Sequence, residues 1–266
     1  ADKAAKLADS DGVAFADFYH RAGAEGTLGD VQLERGHYHA FAELHIEQGP
    51  LLEKAGLPIG VVTAIAAPAA LRVTYEGSGG HAGAVLMADR RDALLPAAKL
   101  ALAVDEAART LGESDTVATT GVLDVHPRAI NSIPSKTYLE IDVRDIDGAR
   151  RDKVLERIRE RAKALGDEHR QTTTIEMINA DPPATCDPKV VTAIETAAAE
   201  AGLKSQRMIS RAYHDSLFMA QICPTAMIFI PCRNGYSHRP DEYASPEAIA
   251  AGVRVLAGTL TRLASE

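Results

Sequence analysis

Residues 71–178 carry apolar periods in the order strand, helix, strand, strand, helix, strand, an order compatible with very few packings. The strands are read at 71–75, 116–125, 136–143 and 172–178, and the helices at 91–111 and 148–165. In the third strand Leu139, Ile141 and Val143 point one way and Tyr138, Glu140, Asp142 and Arg144 the other, so one face of the sheet is polar. The helix after it aligns Val154, Ile158 and Leu165 on one stripe and loads the opposite side with RRDK and ERIRER. Two helices on one face of a sheet whose other face stays polar form an α+β layer, the split βαβ arrangement. Ala66-Ala67-Pro68 before it and Asp181-Pro182-Pro183 after it mark its limits. A domain at 68–182 is therefore expected between two flanking segments, 1–67 and 183–266.

The flanking segments read as one α/β unit sharing a sheet. A strand at 38–46 ends at HIEQGP, where Gly49 and Pro50 stop the pairing and Pro50 opens a short helix at 51–55. Asp187 as N-cap and Pro188 in the first turn start a helix with Val190, Ile194, Ala197 and Ala198 at helical spacing. A helix is read at 216–222, with Asp215 available to cap it or to orient a neighbouring ring. AMIFIP is an uninterrupted apolar strand suited to burial on both faces of a parallel sheet. Ser245-Pro246 caps a last helix whose Ile249, Val253, Leu256, Leu260 and Leu263 form one stripe.

Charge and composition narrow the partners. Lys+Arg 29 against Asp+Glu 37 leaves a net −8, which repels phosphate backbones and acidic membrane surfaces. Neither nucleic acid nor a membrane is expected as a partner. The longest mainly apolar run, 60–71, is broken by Pro68 and falls short of the ~18–20 residues a bilayer span requires. Cys186, Cys223 and Cys232 are odd in number and lack CxxC spacing, so they read as reduced, buried thiols. The chain opens without Met, without an apolar signal core and without an Arg/Ser-rich transit pattern. The expectation is a processed chain or one lacking upstream residues. Its compartment is cytoplasmic for a bacterial chain and otherwise open, since a targeting peptide would lie upstream.

The nine histidines divide by context. His20, His37, His39 and His169 read as solvated surface residues, and His126 beside Pro127 as structural. His45 lies in ELHIEQG, with Glu43 and Glu47 on its own face of the strand. His238 lies in NGYSHRPDE after the apolar strand, and His214 in RAYHDS. Singly each fits an ordinary loop or core histidine. Together they are read at equivalent carboxyl ends of strands in one sheet, where α/β folds place ligands. His81 in SGGHAG sits among glycines that permit a close backbone approach, or a plain turn with a solvent-facing ring. Asn131 follows the turn at 126–128, and Arg144 on the polar sheet face is placed to fork onto a carboxylate.

HIEQGP, GGHAGAVLM with RRDA behind it, INSIPS followed by DVRD, RAYHDS, and YSHRPDE with SPE, in that order, resemble the amidase/hydantoinase/carbamoylase branch of the M20 metallopeptidase superfamily. The resemblance runs from about Phe41 to the C-terminus. It implies an α/β di-metal catalytic domain interrupted by an α+β, ferredoxin-like βαββαβ lid domain that also makes a homodimer. It implies hydrolysis of a ureido C–N bond in a small ureido acid, with ureidoglycolate giving glyoxylate, ammonia and CO₂ in purine-ureide catabolism. Allantoate and N-carbamoyl amino acids are the alternative substrates. The implied cofactors are two divalent metal ions, Mn²⁺ ahead of Zn²⁺, with His45 a ligand to one and His238 to the other. Gln48 would contact substrate, while Tyr213 and His214 would hold the scissile group and its developing oxyanion. His81, Asn131 and Arg144 match lid residues, Asn131 and Arg144 for the substrate carboxylate and His81 for the reacting group across the dimer. The family's upstream His, bridging Asp and Glu-Glu pair have no counterpart before His45, so the metal site is incomplete in this chain. The chain alone is expected to be inactive, and a non-catalytic dimerising fragment is the alternative from another class.

Overall fold

The structure, a computed structural model, describes residues 2–9 and 11–265. Two short helices, α1 (Asp2–Ala5) and α2 (Phe15–Arg21), precede β1 (Phe41–Ile46), α3 (Leu51–Ala55), β2 (Ile59–Ile65), β3 (Ala67–Glu76) and β4 (Gly80–His81). Then come α4 (Leu94–Leu111), β5 (Val117–His126), β6 (Ser132–Ile133), β7 (Lys136–Asp145), α5 (Gly148–Glu168), β8 (Thr172–Ala180) and β9 (Ala184–Thr185). The chain closes with α6 (Pro188–Glu200), β10 (Ser205–Ser210), α7 (Asp215–Met219), β11 (Thr225–Ile230) and α8 (Pro246–Leu263).

β3, β5, β7 and β8 form an antiparallel sheet in the order β5-β7-β3-β8. Counted along the chain that order is 2-3-1-4, the arrangement the strand and helix periods predict. Leu139, Ile141 and Val143 of β7 and Val154, Ile158 and Leu165 of α5 share one buried cluster with Leu71, Val73, Tyr75 and Leu100. Two elements of this layer start well away from the sequence reading, and the others shift by one to three residues at an end. β3 begins at Ala67 and runs through Pro68, which pairs with Arg144 of β7; the ladder with β8 on the other side begins only at Ala69, opposite Ala180. A strand tolerates Pro where no ladder N–H is needed. α4 begins at Leu94 rather than at residue 91, because the Arg91 carbonyl is spent on Ser78 N–H and Asp92 accepts the Leu94 N–H.

The second sheet has the order β1-β11-β2-β10, with β9 on β2. β1 runs parallel to β11 and β10 parallel to β2, but β11 and β2 are antiparallel. The sheet is therefore mixed, not parallel as the AMIFIP run suggested. All six residues of β11 are buried; an apolar run reports burial on both faces and says nothing of strand direction.

α6 and α8 cover one face of this sheet. α6 buries Val190, Ile194, Ala197 and Ala198 as its spacing predicts. α8 presents only part of its expected stripe: Leu263 is buried and Leu256 packs against the core. Ala248, Gly252, Val255, Thr259 and Leu263 are buried, whereas Ile249, Val253 and Leu260 are half exposed. The cause is close approach: a Cβ on Gly252 would lie 2.6 Å from Leu44 Cδ1 and 2.7 Å from Ile230 Cγ2. The helix seats Ala248 and Gly252 on the sheet and turns Ile249, Val253 and Leu260 outward.

The apolar cluster of the mixed sheet includes Ala67 and resumes with Ala184, while that of the antiparallel sheet begins at Ala69 and extends to Ile175. The loop between β10 and α7 crosses between the two layers. Arg211 pairs with Asp115, the Arg211 carbonyl accepts from Arg144 Nη1 at 3.2 Å, and the Tyr213 hydroxyl donates to Asp181 Oδ2 at 2.7 Å. Among the described residues no helix is long and apolar enough to cross a membrane, and the three cysteines are free and buried.

Candidate functional site

The site grows from β1. Alternation sends Leu44 toward α8 and puts Glu43 and His45 on the opposite face, against α7. Glu43 Oε2 accepts from Ser216 N–H at 2.9 Å and from Ser216 Oγ at 2.6 Å, so a carboxylate from β1 caps α7. Asp215 does not cap that helix as the sequence suggested. His214 occupies the N-cap position without a side-chain cap bond, and α7 ends at Met219 rather than at residue 222. Glu47, buried at 8% exposure, does the same for α3, accepting Leu51 N–H at 2.8 Å and Leu52 N–H at 2.7 Å.

HIEQGP thus ends a strand, caps a helix and makes a tight loop at once. Gln48 holds φ +56° and His238 φ +57°, left-handed backbone that non-glycine residues rarely adopt. A Cβ on Gly235 would come within 2.6 Å of the Gly49 carbonyl carbon, so the loop after β11 rests directly on the loop after β1. Gln48 Nε2 donates to Ser237 Oγ at 2.9 Å across that junction. His238 N–H donates to Glu242 Oε2 at 2.9 Å. Hydrogen bonds from His238 N–H and the Ser237 hydroxyl hold Glu242 below the ordinary carboxylate range, with His238 and His45 adding in the same direction. His45, Gln48, Ser237, His238 and Glu242 are therefore one neighbourhood. Glu242 stands in the run RPDE, and only the loop contact marks it as part of the site.

His214 reaches the same neighbourhood by a different route from the one its sequence context suggested. β10 is antiparallel to β1 and β11, so its carboxyl end lies at the opposite end of the sheet from theirs. The loop 211–213 carries the chain back over the sheet face. There the His214 ring packs edge-on to His45 with centroids 4.7 Å apart, and lies 5.6 Å from Phe229. Its Nε2 is 2.7 Å from Ser210 Oγ and its Nδ1 4.0 Å from Glu43 Oε1. Burial, reinforced by His45, pushes His214 down to about 4 despite that carboxylate, so the ring is neutral at pH 7.

The His214 proton makes stability depend on pH. The unfolded chain takes up this proton near pH 6.5 and the folded chain only near 4, so stability is lost as pH falls through that window. A gap of about 2.5 units corresponds to on the order of 3 kcal/mol. Urea unfolding at pH 7 and pH 4.5, without added metal, should show a smaller acid loss in His214→Gln than in the parent. Equal losses in the two would overturn the assignment.

His45 Nδ1 lies 2.8 Å from the Ile46 carbonyl, an acceptor only, so Nδ1 carries the hydrogen and Nε2 keeps its lone pair. That is the arrangement in which imidazole ligates a metal. Glu43, His45 and His214 each bring a donor atom within 4.8 Å of the others, a set able to hold an ion, although Glu43 already spends one oxygen on α7.

The remaining residues lie on the antiparallel layer. His81 and Asn131 are neighbours on the β4–β6 ribbon, both exposed, with Ala82 N–H donating to the Asn131 carbonyl at 2.8 Å. His81 Nδ1 accepts from Gly83 N–H at 3.1 Å, which leaves Nε2–H of the neutral ring as an outward donor. Arg144 already forks onto a carboxylate, that of Asp142, at 2.7 and 3.2 Å. Tyr213 is 41% exposed with its hydroxyl committed to Asp181; burial first and then this bond push its pKa up to about 12. Among the described residues none of His81, Asn131 or Arg144 hydrogen-bonds to His45 or His214; Arg144 comes nearest in sequence terms, through the Arg211 carbonyl. His169, read as a solvated surface residue, is half-buried with its Nε2 shielded from solvent, because it terminates α5 against the sheet.

Known proteins place the whole chain. The family model for Peptidase family M20/M25/M40 matches residues 18–262. Ureidoglycolate hydrolase of Arabidopsis thaliana is 53% identical over 262 residues, 97% of this chain and 55% of that protein. The crystal structure of AtUAH in complex with glyoxylate superposes with a TM-score of 0.90 at 53% identity, over 97% of this chain and 62% of that one. The AtUAH complex with (S)-hydroxyglycine gives 0.92 at 51% identity, over 100% and 65%. The chain thus spans about half the length of the ureidoglycolate hydrolase it matches. With its α/β layer, its histidine cluster and these matches together, the chain belongs to peptidase family M20/M25/M40.

Proposed function

We propose that the chain supplies the substrate-binding residues and part of the metal site of an amidohydrolase that cleaves a ureido C–N bond, with ureidoglycolate as substrate. The observation that carries this reading is the pairing of His45, its Nε2 lone pair free, with a buried neutral His214 at 4.7 Å. The relatives named above support the substrate: one is a ureidoglycolate hydrolase, and the AtUAH structures hold glyoxylate and (S)-hydroxyglycine. In this reading 68–182 is a ferredoxin-like lid and the segments 1–67 and 183–266 are catalytic.

His45 and His238 would hold the metals, two divalent ions with Mn²⁺ preferred over Zn²⁺. When bound, such ions polarise the attacked carbonyl and supply a nucleophile at neutral pH. His214 and His81, both neutral donors, stabilise the oxyanion as it forms. Arg144 and Asn131 take the substrate carboxylate, Gln48 contacts the substrate, and Tyr213 meets its hydroxyl on leaving Asp181. The fork of Arg144 is already shaped for a carboxylate by Asp142, so substrate exchanges one anionic partner for another. A homodimer through the lid is supported by its open sheet edges, where Val117, Val122 and Leu123 of β5 and Met177 and Ile178 of β8 are exposed. Light scattering that finds only monomer at all concentrations would remove the dimer from this reading.

The decisive experiment compares kcat/KM on ureidoglycolate, allantoate and an N-carbamoyl amino acid, in a preparation whose metal site is fully assembled. Ureidoglycolate should lead; N-carbamoyl-leucine ahead of it would move the reading to a carbamoylase. Arg144→Lys should cost about 2–3 kcal/mol in transition-state binding, because a bidentate fork becomes a point contact. A substrate analogue with an amide in place of the carboxylate should barely notice the change, and equal losses on both would make Arg144 structural.

Metal binding is tested on the chain itself. Titration calorimetry with Mn²⁺ should show weak binding, since only part of a ligand set is present. Tight one-to-one binding abolished by both His45→Ala and Glu43→Ala would instead show that Glu43, His45 and His214 complete a site together.

A further inference from the structure

Ser210 ends β10 and is 1% exposed. Its hydroxyl has three neighbours: His214 Nε2 at 2.7 Å, Ala212 N–H at 3.2 Å and the Ala212 carbonyl at 3.2 Å. A serine hydroxyl owns one hydrogen and two lone pairs. The Ala212 N–H must donate to it, so the one hydroxyl hydrogen goes either to His214 Nε2 or, with Nε2–H as donor to the oxygen, to the Ala212 carbonyl. The distances favour the histidine, since 3.2 Å to the carbonyl lies beyond the usual span of an O–H···O bond and 2.7 Å is a full-strength contact.

We propose that Ser210 is a positioning residue that donates its hydroxyl hydrogen to His214 Nε2 and thereby holds the ring as the Nδ1–H tautomer. The opposite side of the ring gives the same answer independently. Nδ1 faces Glu43 Oε1 at 4.0 Å, and Glu43 is kept in place by its two bonds from Ser216. A lone pair on Nδ1 would stand against that carboxylate, whereas an N–H is attracted to it. Serine and glutamate thus select one tautomer from two sides. The ring's one free N–H then lies on the side shared with Glu43 and His45, and no rotation is needed to present it.

The inference rests on the proposed reading in one respect only: the Nδ1–H tautomer is the form that can donate toward an oxyanion on the His45 side. It explains why the loop 211–213 is built as it is. The Ser210 hydroxyl closes that loop on Ala212, so the group that sets the tautomer also fixes the route by which His214 returns over the sheet.

The test is ¹⁵N NMR of the histidine-labelled chain, metal-free and at neutral pH, with the His214 signals assigned by their loss in His214→Gln. The parent should show a pyrrole-type Nδ1 and a pyridine-type Nε2 at His214. Ser210→Ala should shift the pair toward the opposite tautomer or a mixture, and Ser210→Thr, which keeps the hydroxyl, should restore it. A pyridine-type Nδ1 in the parent, or an unchanged pattern in Ser210→Ala, overturns the proposal. In an active preparation Ser210→Ala should lower kcat about tenfold with little change in KM, and Ser210→Thr should recover most of it. If the tautomer moves and kcat does not, Ser210 keeps its role and the use of His214 as oxyanion donor falls instead.

Discussion

Asp145→Ala is expected to destabilise the chain by about 3–5 kcal/mol, the scale for breaking a buried ion pair from one side. Asp145 is fully buried at the end of β7 and holds three segments together. Its carboxylate accepts from Arg150 Nε at 2.7 Å and Nη2 at 2.5 Å, from the Thr116 hydroxyl just before β5, and from Asp147 N–H at 2.9 Å. Burial raises its pKa, but these bonds outweigh the burial and leave it below the ordinary aspartate value. Without the carboxylate, the Arg150 guanidinium, 22% exposed, and the Thr116 hydroxyl lose their partner. Asp145→Asn keeps the shape and should recover part of the loss. Urea midpoints for the two variants check this, and a cost below about 1 kcal/mol for alanine would mean that solvent replaces the carboxylate easily.

In the proposed reading, and in a preparation active on ureidoglycolate, His214→Ala is expected to lower kcat/KM by about 10²–10³, the usual effect of deleting one preorganised oxyanion donor. The proposed role draws on a ring that is neutral, buried, braced by Ser210 on one side and seated against His45 on the other. The loss should fall in kcat, because the bond forms only as charge develops on the substrate. Folding should suffer less at acid pH than in the parent, as the depressed pKa requires. An equal rise in KM with kcat unchanged would show that His214 binds the ground state and has no special relation to the transition state.

These expectations draw on two kinds of information. Local periods were enough for the inserted layer. The alternation of Leu139, Ile141 and Val143 and the stripe Val154, Ile158 and Leu165 depend only on which face of a strand or helix is apolar, and the structure buries those residues. The same holds for α6 and for the capping of α8 by Ser245, whose hydroxyl accepts the Ala248 N–H at 3.1 Å. The sharing of one sheet by the flanking segments was also legible, because an apolar strand such as AMIFIP needs cover on both faces.

The rest is non-local, and periodicity does not carry it. Of the apolar stripe on α8, Leu256 and Leu263 meet the core, yet Gly252 seats the helix on Leu44 and Ile230 by allowing closer approach, so Ile249, Val253 and Leu260 turn outward. Asp215 stood in the right place to cap α7, but Glu43, 173 residues away along the chain, reaches Ser216 first. His45 was legible as a site residue from the alternation in ELHIEQG alone. That His214 would meet it was not, because the antiparallel run of β10 places its end at the far side of the sheet. Sequence determined the elements, their apolar faces and the residues able to do chemistry, since these follow from backbone geometry within a few residues. Tertiary structure decided that Glu43 caps α7 and that His45 and His214 face each other, since both were settled by competition for space among segments distant in the chain.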